Sequence, residues 1–188
     1  MFMGFCALLA LAAVPLLGGD LRRLATLRPR AAWVVFAALA VQILIISVLP
    51  QHWRTLEAAA HILTYVAALA VIAVNWRIPG MVIIGIGTFC NGLTIAINGG
   101  TLPASRAADA AVNLPKHQRG LVNSGVLSHP HLAWLGDRYT SPAFLPLRNV
   151  MSIGDMIILA GAIVLVLRVT GVTWQTALRR RRVAVRAS

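Results

Sequence analysis

The sequence predicts an all-α polytopic membrane protein, a bundle of five transmembrane helices with one long extracytoplasmic loop region. Three observations carry this prediction. Of 188 residues, 59% are apolar and 12% charged, against about 45–50% and about 25% in soluble domains. The apolar residues gather into five runs, Phe2–Leu17, Ala31–Leu49, Ala58–Val74, Met81–Ile97 and Val150–Val169. The charge is lopsided, 17 basic residues against five acidic ones for a net +12, and most basic residues flank the runs. Such a composition excludes a disordered chain and argues against an ordinary soluble domain. The length suits a single membrane domain over 1–188. Basic residues placed between apolar runs read as membrane topology, with no nucleic-acid partner.

A run of about 20 apolar residues crosses the hydrocarbon core of a bilayer. Backbone groups in lipid must bond within their own segment, which selects helices, and none of the runs shows the strict alternation of a barrel strand. The first run has the position of a signal peptide. Its leading residues Met1–Phe5 carry no positive charge, however, and no small-x-small cleavage site stands near Gly18-Gly19-Asp20. It reads as a retained helix, with Pro15 near its end. The second run is long enough to span. The third and fourth, at 17 residues each, sit at the short end of the range. Asn98-Gly99-Gly100 ends the fourth, where glycine supplies a left-handed exit, and Gly85 and Gly87 within it permit close helix approach. The fifth run closes the bundle before a basic tail over 170–188.

Orientation follows from the basic flanks. The first connection holds Arg22, Arg23, Arg28 and Arg30. Odd connections and the tail total ten basic residues, and even connections six. The chain therefore reads as N-terminus out and C-terminus in, with Asn98–Asn149 outside the cytoplasm. At 52 residues that stretch is long for a structureless loop, which favours function or local structure. Ala104–Val112 has the signals of a short helix, with Pro103 before it and Asn113 and Pro115 after it.

The tail residues Arg179, Arg180, Arg181 and Arg182 mark the cytoplasmic side and suit anionic headgroups of the lipid bilayer. His129-Pro130-His131 lacks metal-ligand spacing, and Cys6 and Cys90 form no metal signature, so neither a metal nor a cofactor is expected. Polar residues inside the runs are more informative. At 1.5 Å per residue, Gln42, His61, Asn91 and Asp155 lie about 6–10 Å below the outer ends of their helices. Four coincident depths predict one polar pocket, which Asn98 and Ser152 border; the bland alternative is separate interhelical hydrogen bonds. Two carboxyls near the outer face, Asp137 and Asp155, form the candidate catalytic pair. Held close enough, such a pair splits into one acid and one base. Asp155 lies too far inside its helix to serve as N-cap, a place Ser152 can take, so capping does not account for it.

The motifs Asn98-Gly99-Gly100-Thr101-Leu102-Pro103-Ala104-Ser105, Leu135-Gly136-Asp137 and Ser152-Ile153-Gly154-Asp155, with Gly19-Asp20-Leu21, resemble a bacterial multi-pass membrane family of unknown function. The resemblance spans nearly the whole chain and implies the bacterial cytoplasmic membrane, but no activity; Leu102 and Ala104 depart from its Met-Pro-Val-Ser pattern. The segment Asn149-Val150-Met151-Ser152-Ile153-Gly154-Asp155 is also similar to the start of the last helix in lipoprotein signal peptidases, which are intramembrane aspartyl proteases. Asn91, Asp137 and Asp155 would then match that family's Asn and its two catalytic Asp. Thr94 and Ile95 stand where its Asp-Arg pair would be, and Gly154 replaces its Ala. Three function classes stay open: an accessory or interaction subunit with a membrane-protein partner, a lipid or small-solute binding or transport protein, and a membrane aspartyl hydrolase.

Overall fold

The structure, a computed structural model, describes residues 2–48, 54–112, 124–141, 149–173 and 175–176. In chain order the elements are α1 (Phe2–Leu16), α2 (Arg22–Ala25), α3 (Ala32–Val48), α4 (Arg54–Val74), α5 (Met81–Ile97), β1 (Leu102–Pro103), α6 (Arg106–Val112), β2 (Ser124–Gly125), β3 (Tyr139–Thr140), β4 (Val150–Met151) and α7 (Ile153–Val169). The chain is mostly helical. Among the described residues one stretch, Thr55–Val74, is long and apolar enough to cross a membrane, and Met3–Leu16, Ala32–Val41 and Met81–Ile97 are shorter apolar helical stretches.

Helix boundaries depart from the apolar runs where polar chemistry intervenes. Helix α4 starts at Arg54, a turn before Ala58, and takes Glu57 into its first turn, where the exposed N–H groups favour a carboxylate. Helix α7 starts at Ile153 and not at Val150, because Val150 and Met151 pair antiparallel with Thr140 and Tyr139. The short helix expected near 104–112 forms as Arg106–Val112. The Ser105 hydroxyl accepts from Ala108 N at 3.2 Å and satisfies one of its first amides.

The long helices pack as a row. Helix α3 packs on α4, α4 on α5, α5 on α7, and α7 on α1. The α5–α7 contact is the most extensive, and glycine makes it so. A methyl group at Gly87 would collide with the Gly154 carbonyl and Ile158, and one at Gly161 with Ile84. Removing those side chains lets the two backbones approach closely. Gly92 does the same toward α4, where it receives the ring of Tyr65. At the end of α5, Gly99 and Gly100 take positive φ angles of 64° and 92°, and Gly100 N–H reaches back to the Ile95 carbonyl at 2.9 Å.

At the opposite end of the row, residues 17–31 run beneath the helices as a strap. Asp20 N–H donates to the Thr170 carbonyl at the end of α7 (2.9 Å), and the Arg23 guanidinium lies against Gly171. Farther along, Asn75 at the end of α4 holds the backbone of Arg30. Its Oδ1 accepts from Arg30 N at 2.7 Å, and its Nδ2 donates to the Arg30 carbonyl at 2.8 Å.

The burial pattern is inverted relative to a water-soluble core. His61, Asn75, Thr88, Asn91, Thr94, Ser152 and Thr170 are buried, while Trp33 and Phe36 are 71% and 70% exposed and Leu63 is 65% exposed. Polar groups thus gather between helices, where they can pair, and large apolar side chains face outward.

Candidate functional site

The site lies where the start of α4, the end of α5 and the start of α7 meet. Helix α7 opens on Ser152, fully buried, whose hydroxyl accepts from Asp155 N at 2.9 Å. The Asp155 carboxylate accepts in return from Ser152 N at 3.2 Å. This is a capping box, which satisfies two amides left over at a helix start. Capping therefore does account for Asp155, against the sequence expectation: the β4 pairing moves the helix start to Ile153 and makes Asp155 its third residue.

Asn91 ties α7 to α5. Its Nδ2 donates to Asp155 Oδ1 at 2.9 Å, and its Oδ1 accepts from the Ser152 hydroxyl at 2.8 Å. Asn91 is only 1% exposed, so each bond replaces one that water would supply. Gly154 is required beside it, because any side chain there would strike Asn91 Oδ1.

Helix α4 adds two aromatic polar groups one turn apart. His61 and Tyr65 meet edge to face with ring centres 5.4 Å apart. His61 Nδ1 lies 2.8 Å from the Gly100 carbonyl; a carbonyl only accepts, so Nδ1 carries the proton. The Tyr65 hydroxyl lies beside the Asn91 side chain, within the electrostatic reach of both Asp155 and Asp137.

Asp137 comes from the segment between α6 and α7. Its backbone bridges to that of Ala104, with Asp137 N–H donating to the Pro103 carbonyl (2.8 Å) and Ser105 N–H to the Asp137 carbonyl (2.9 Å). A short turn of 3-10 helix, Ala133–Leu135, leads into it through Gly136, where a side chain would collide with the Pro103 carbonyl. The side chain is 7% exposed, and its Oδ1 is the buried side-chain atom without a hydrogen-bond partner among the described residues. Burial pushes the carboxyl up to about 6; the nearby Ser124 hydroxyl works against that shift and the charge of Asp155 adds to it.

His61, Asn91, Ser152, Asp155 and Asp137 thus share one region, although they come from three helices and a loop. Asn98 bonds elsewhere. Its amide grips His131, accepting from His131 N and donating to its carbonyl, both at 2.9 Å, and so anchors the turn that leads to Asp137. Gln42 stands on α3 with its side chain outside the described residues, and Arg179, Arg180, Arg181 and Arg182 lie outside them altogether. Tyr65 and Ser124 were not singled out by sequence reasoning. The signal for Tyr65 is its spacing of four from His61, which puts both on one face of a helix. Ser124 carries no local signal.

A row of helices with a buried acidic site at one end defines the class of this protein. The chain belongs to the DUF5317 family, a family of unknown function, whose model matches residues 26–167. That range holds every residue of the site. No curated protein and no solved structure matches the chain.

Proposed function

We propose that the chain is a five-span protein of the bacterial cytoplasmic membrane, N-terminus out and C-terminus in, that binds a small solute or a lipid headgroup at its outer end. Helices α3, α5 and α7 have 17 residues each, about 26 Å of rise against a core of about 30 Å. Their outward apolar side chains suit lipid, and the exposed Arg22, Arg23 and Arg28 at the other end suit anionic headgroups. The observation that carries the binding reading is the Asp137 carboxyl, buried with one oxygen unpaired. A buried oxygen of this kind costs about 1–3 kcal/mol unless a donor reaches it. An apolar carbodiimide tests the site, because it modifies protonated carboxyls in apolar surroundings. Applied to the full-length protein in phosphatidylcholine nanodiscs at pH 5.5, it is expected to modify Asp137 ahead of the exposed Asp20. Modification of Asp20 without Asp137 removes the binding reading.

A second reading, a membrane aspartyl hydrolase, is favoured by the unlike settings of the two carboxyls. Asp155 accepts two hydrogen bonds, while burial holds the proton of Asp137 up to about 6, and an acid–base pair needs such unlike settings. Equal abundance of Asp137→Asn and Asp155→Asn, with cleavage of a membrane-anchored substrate lost in both, supports it. The accessory-subunit reading draws on the row itself, whose terminal helix α3 packs on α4 and leaves Trp33 and Phe36 outward.

A further inference from the structure

We infer that the group taken by this site is a primary ammonium, carried by a soluble amine or by an aminophospholipid headgroup. The inference rests on the binding reading above and adds the chemistry of the ligand. Two carboxyls face one region, and neutral groups alone supply their hydrogen bonds among the described residues. Asp155 receives Asn91 Nδ2 and Ser152 N, and Asp137 has the Ser124 hydroxyl beside it. Among the described residues, Arg106 and Arg138 near this end are exposed. Among the described residues the site is therefore rich in acceptors and holds no cation.

The acceptors favour a donor with several N–H groups. Asp137 Oδ1 is buried and unpaired. Each Asp155 oxygen already accepts one bond and has room for another. His61 donates through Nδ1 to Gly100, which leaves Nε2 of the neutral ring as an acceptor. The Tyr65 hydroxyl adds one more. An ammonium offers three donors and one positive charge. A metal ion would want a denser set, and no three of His, Cys, Asp and Glu gather at metal-binding distance among the described residues. A quaternary ammonium has the charge but no donor for Asp137 Oδ1.

The test measures the thermal midpoint of the full-length protein in phosphatidylcholine nanodiscs. A ligand that binds the folded state alone raises the midpoint in a concentration-dependent manner. Ethylammonium chloride is expected to raise it, and tetramethylammonium chloride at equal concentration is not. Replacing part of the phosphatidylcholine by phosphatidylethanolamine separates the sources. A rise with the lipid, and no further rise on adding ethylammonium, assigns the headgroup; a rise with ethylammonium alone assigns a soluble amine. Asp137→Asn is expected to abolish the shift. If that variant melts too low to compare, Asp137→Glu, which moves the carboxyl by one methylene, is expected to shrink it. An equal rise with tetramethylammonium, or a rise with magnesium or calcium chloride in its place, overturns the ammonium assignment. No rise with either amine source overturns it too. The binding reading then stands if carbodiimide still modifies Asp137, and falls with it if not.

Discussion

Asp137 enters the fold as an acid whose proton is held more tightly than in an unfolded chain. Its carboxyl lies at about 6 against an ordinary 3.8, chiefly through burial. A raised carboxyl stabilises the fold fully below the unfolded value, and that contribution is lost as pH climbs through the folded value. Asn has no such proton to lose. Relative to the native chain, Asp137→Asn should therefore gain stability between about pH 4 and pH 6 and level off above, by up to about 3 kcal/mol. Denaturation midpoints of both proteins at pH 4.5 and pH 8 check this, and a difference that does not change with pH contradicts it. Asn91, Ser152 and Asp155 were legible in the sequence because a polar side chain inside an apolar run must find a partner. Their exact roles were not. Ser152-Ile153-Gly154-Asp155 has capping-box spacing, but the apolar run continues back to Val150 and hides the helix start. Tyr65 passes as part of an apolar run, since its ring packs like one.

At the scale of elements, the site depends on how closely α5 and α7 approach. Gly87 faces the Gly154 backbone, and Gly154 faces Asn91, so one crossing fixes both the interhelical distance and the Asn91–Asp155 bond. Gly87→Ala is expected to cost about 1–3 kcal/mol, the usual range for overpacking. Gly4→Ala is the control, because nothing lies within 4 Å of a methyl group there. Thermal melts in detergent read the difference; equal midpoints for the two variants would show that the crossing tolerates a methyl group. The long helices were readable from hydropathy alone. The strands were not, because two-residue pairs such as Leu102–Pro103 with Ser124–Gly125 are too short to carry a period. Helix α2, four residues long, was hidden for the same reason.

For the whole molecule, the five-span reading makes a sided prediction. With Cys6 and Cys90 replaced by serine, a membrane-impermeant thiol reagent on intact cells should label Ser124→Cys and leave Ser188→Cys unlabelled. The reverse pattern places the acidic site on the cytoplasmic side and overturns the outward orientation. Hydropathy suggested a bundle, and neighbour order could not be read from it. The row arises because small residues on α5 face in two directions, Gly85 and Gly92 toward α4 and Gly87 toward α7.

The strap beneath the row has a mechanical meaning. Helices α4 and α7 carry the two sides of the acidic site, and the same two helices are tied together at their far ends through residues 20–30. The tie holds through Asp20–Thr170 at α7 and the two Asn75–Arg30 bonds at α4, each bond worth roughly 1 kcal/mol. On the binding reading, the strap closes off one end of the row, and a ligand would come and go at the acidic end.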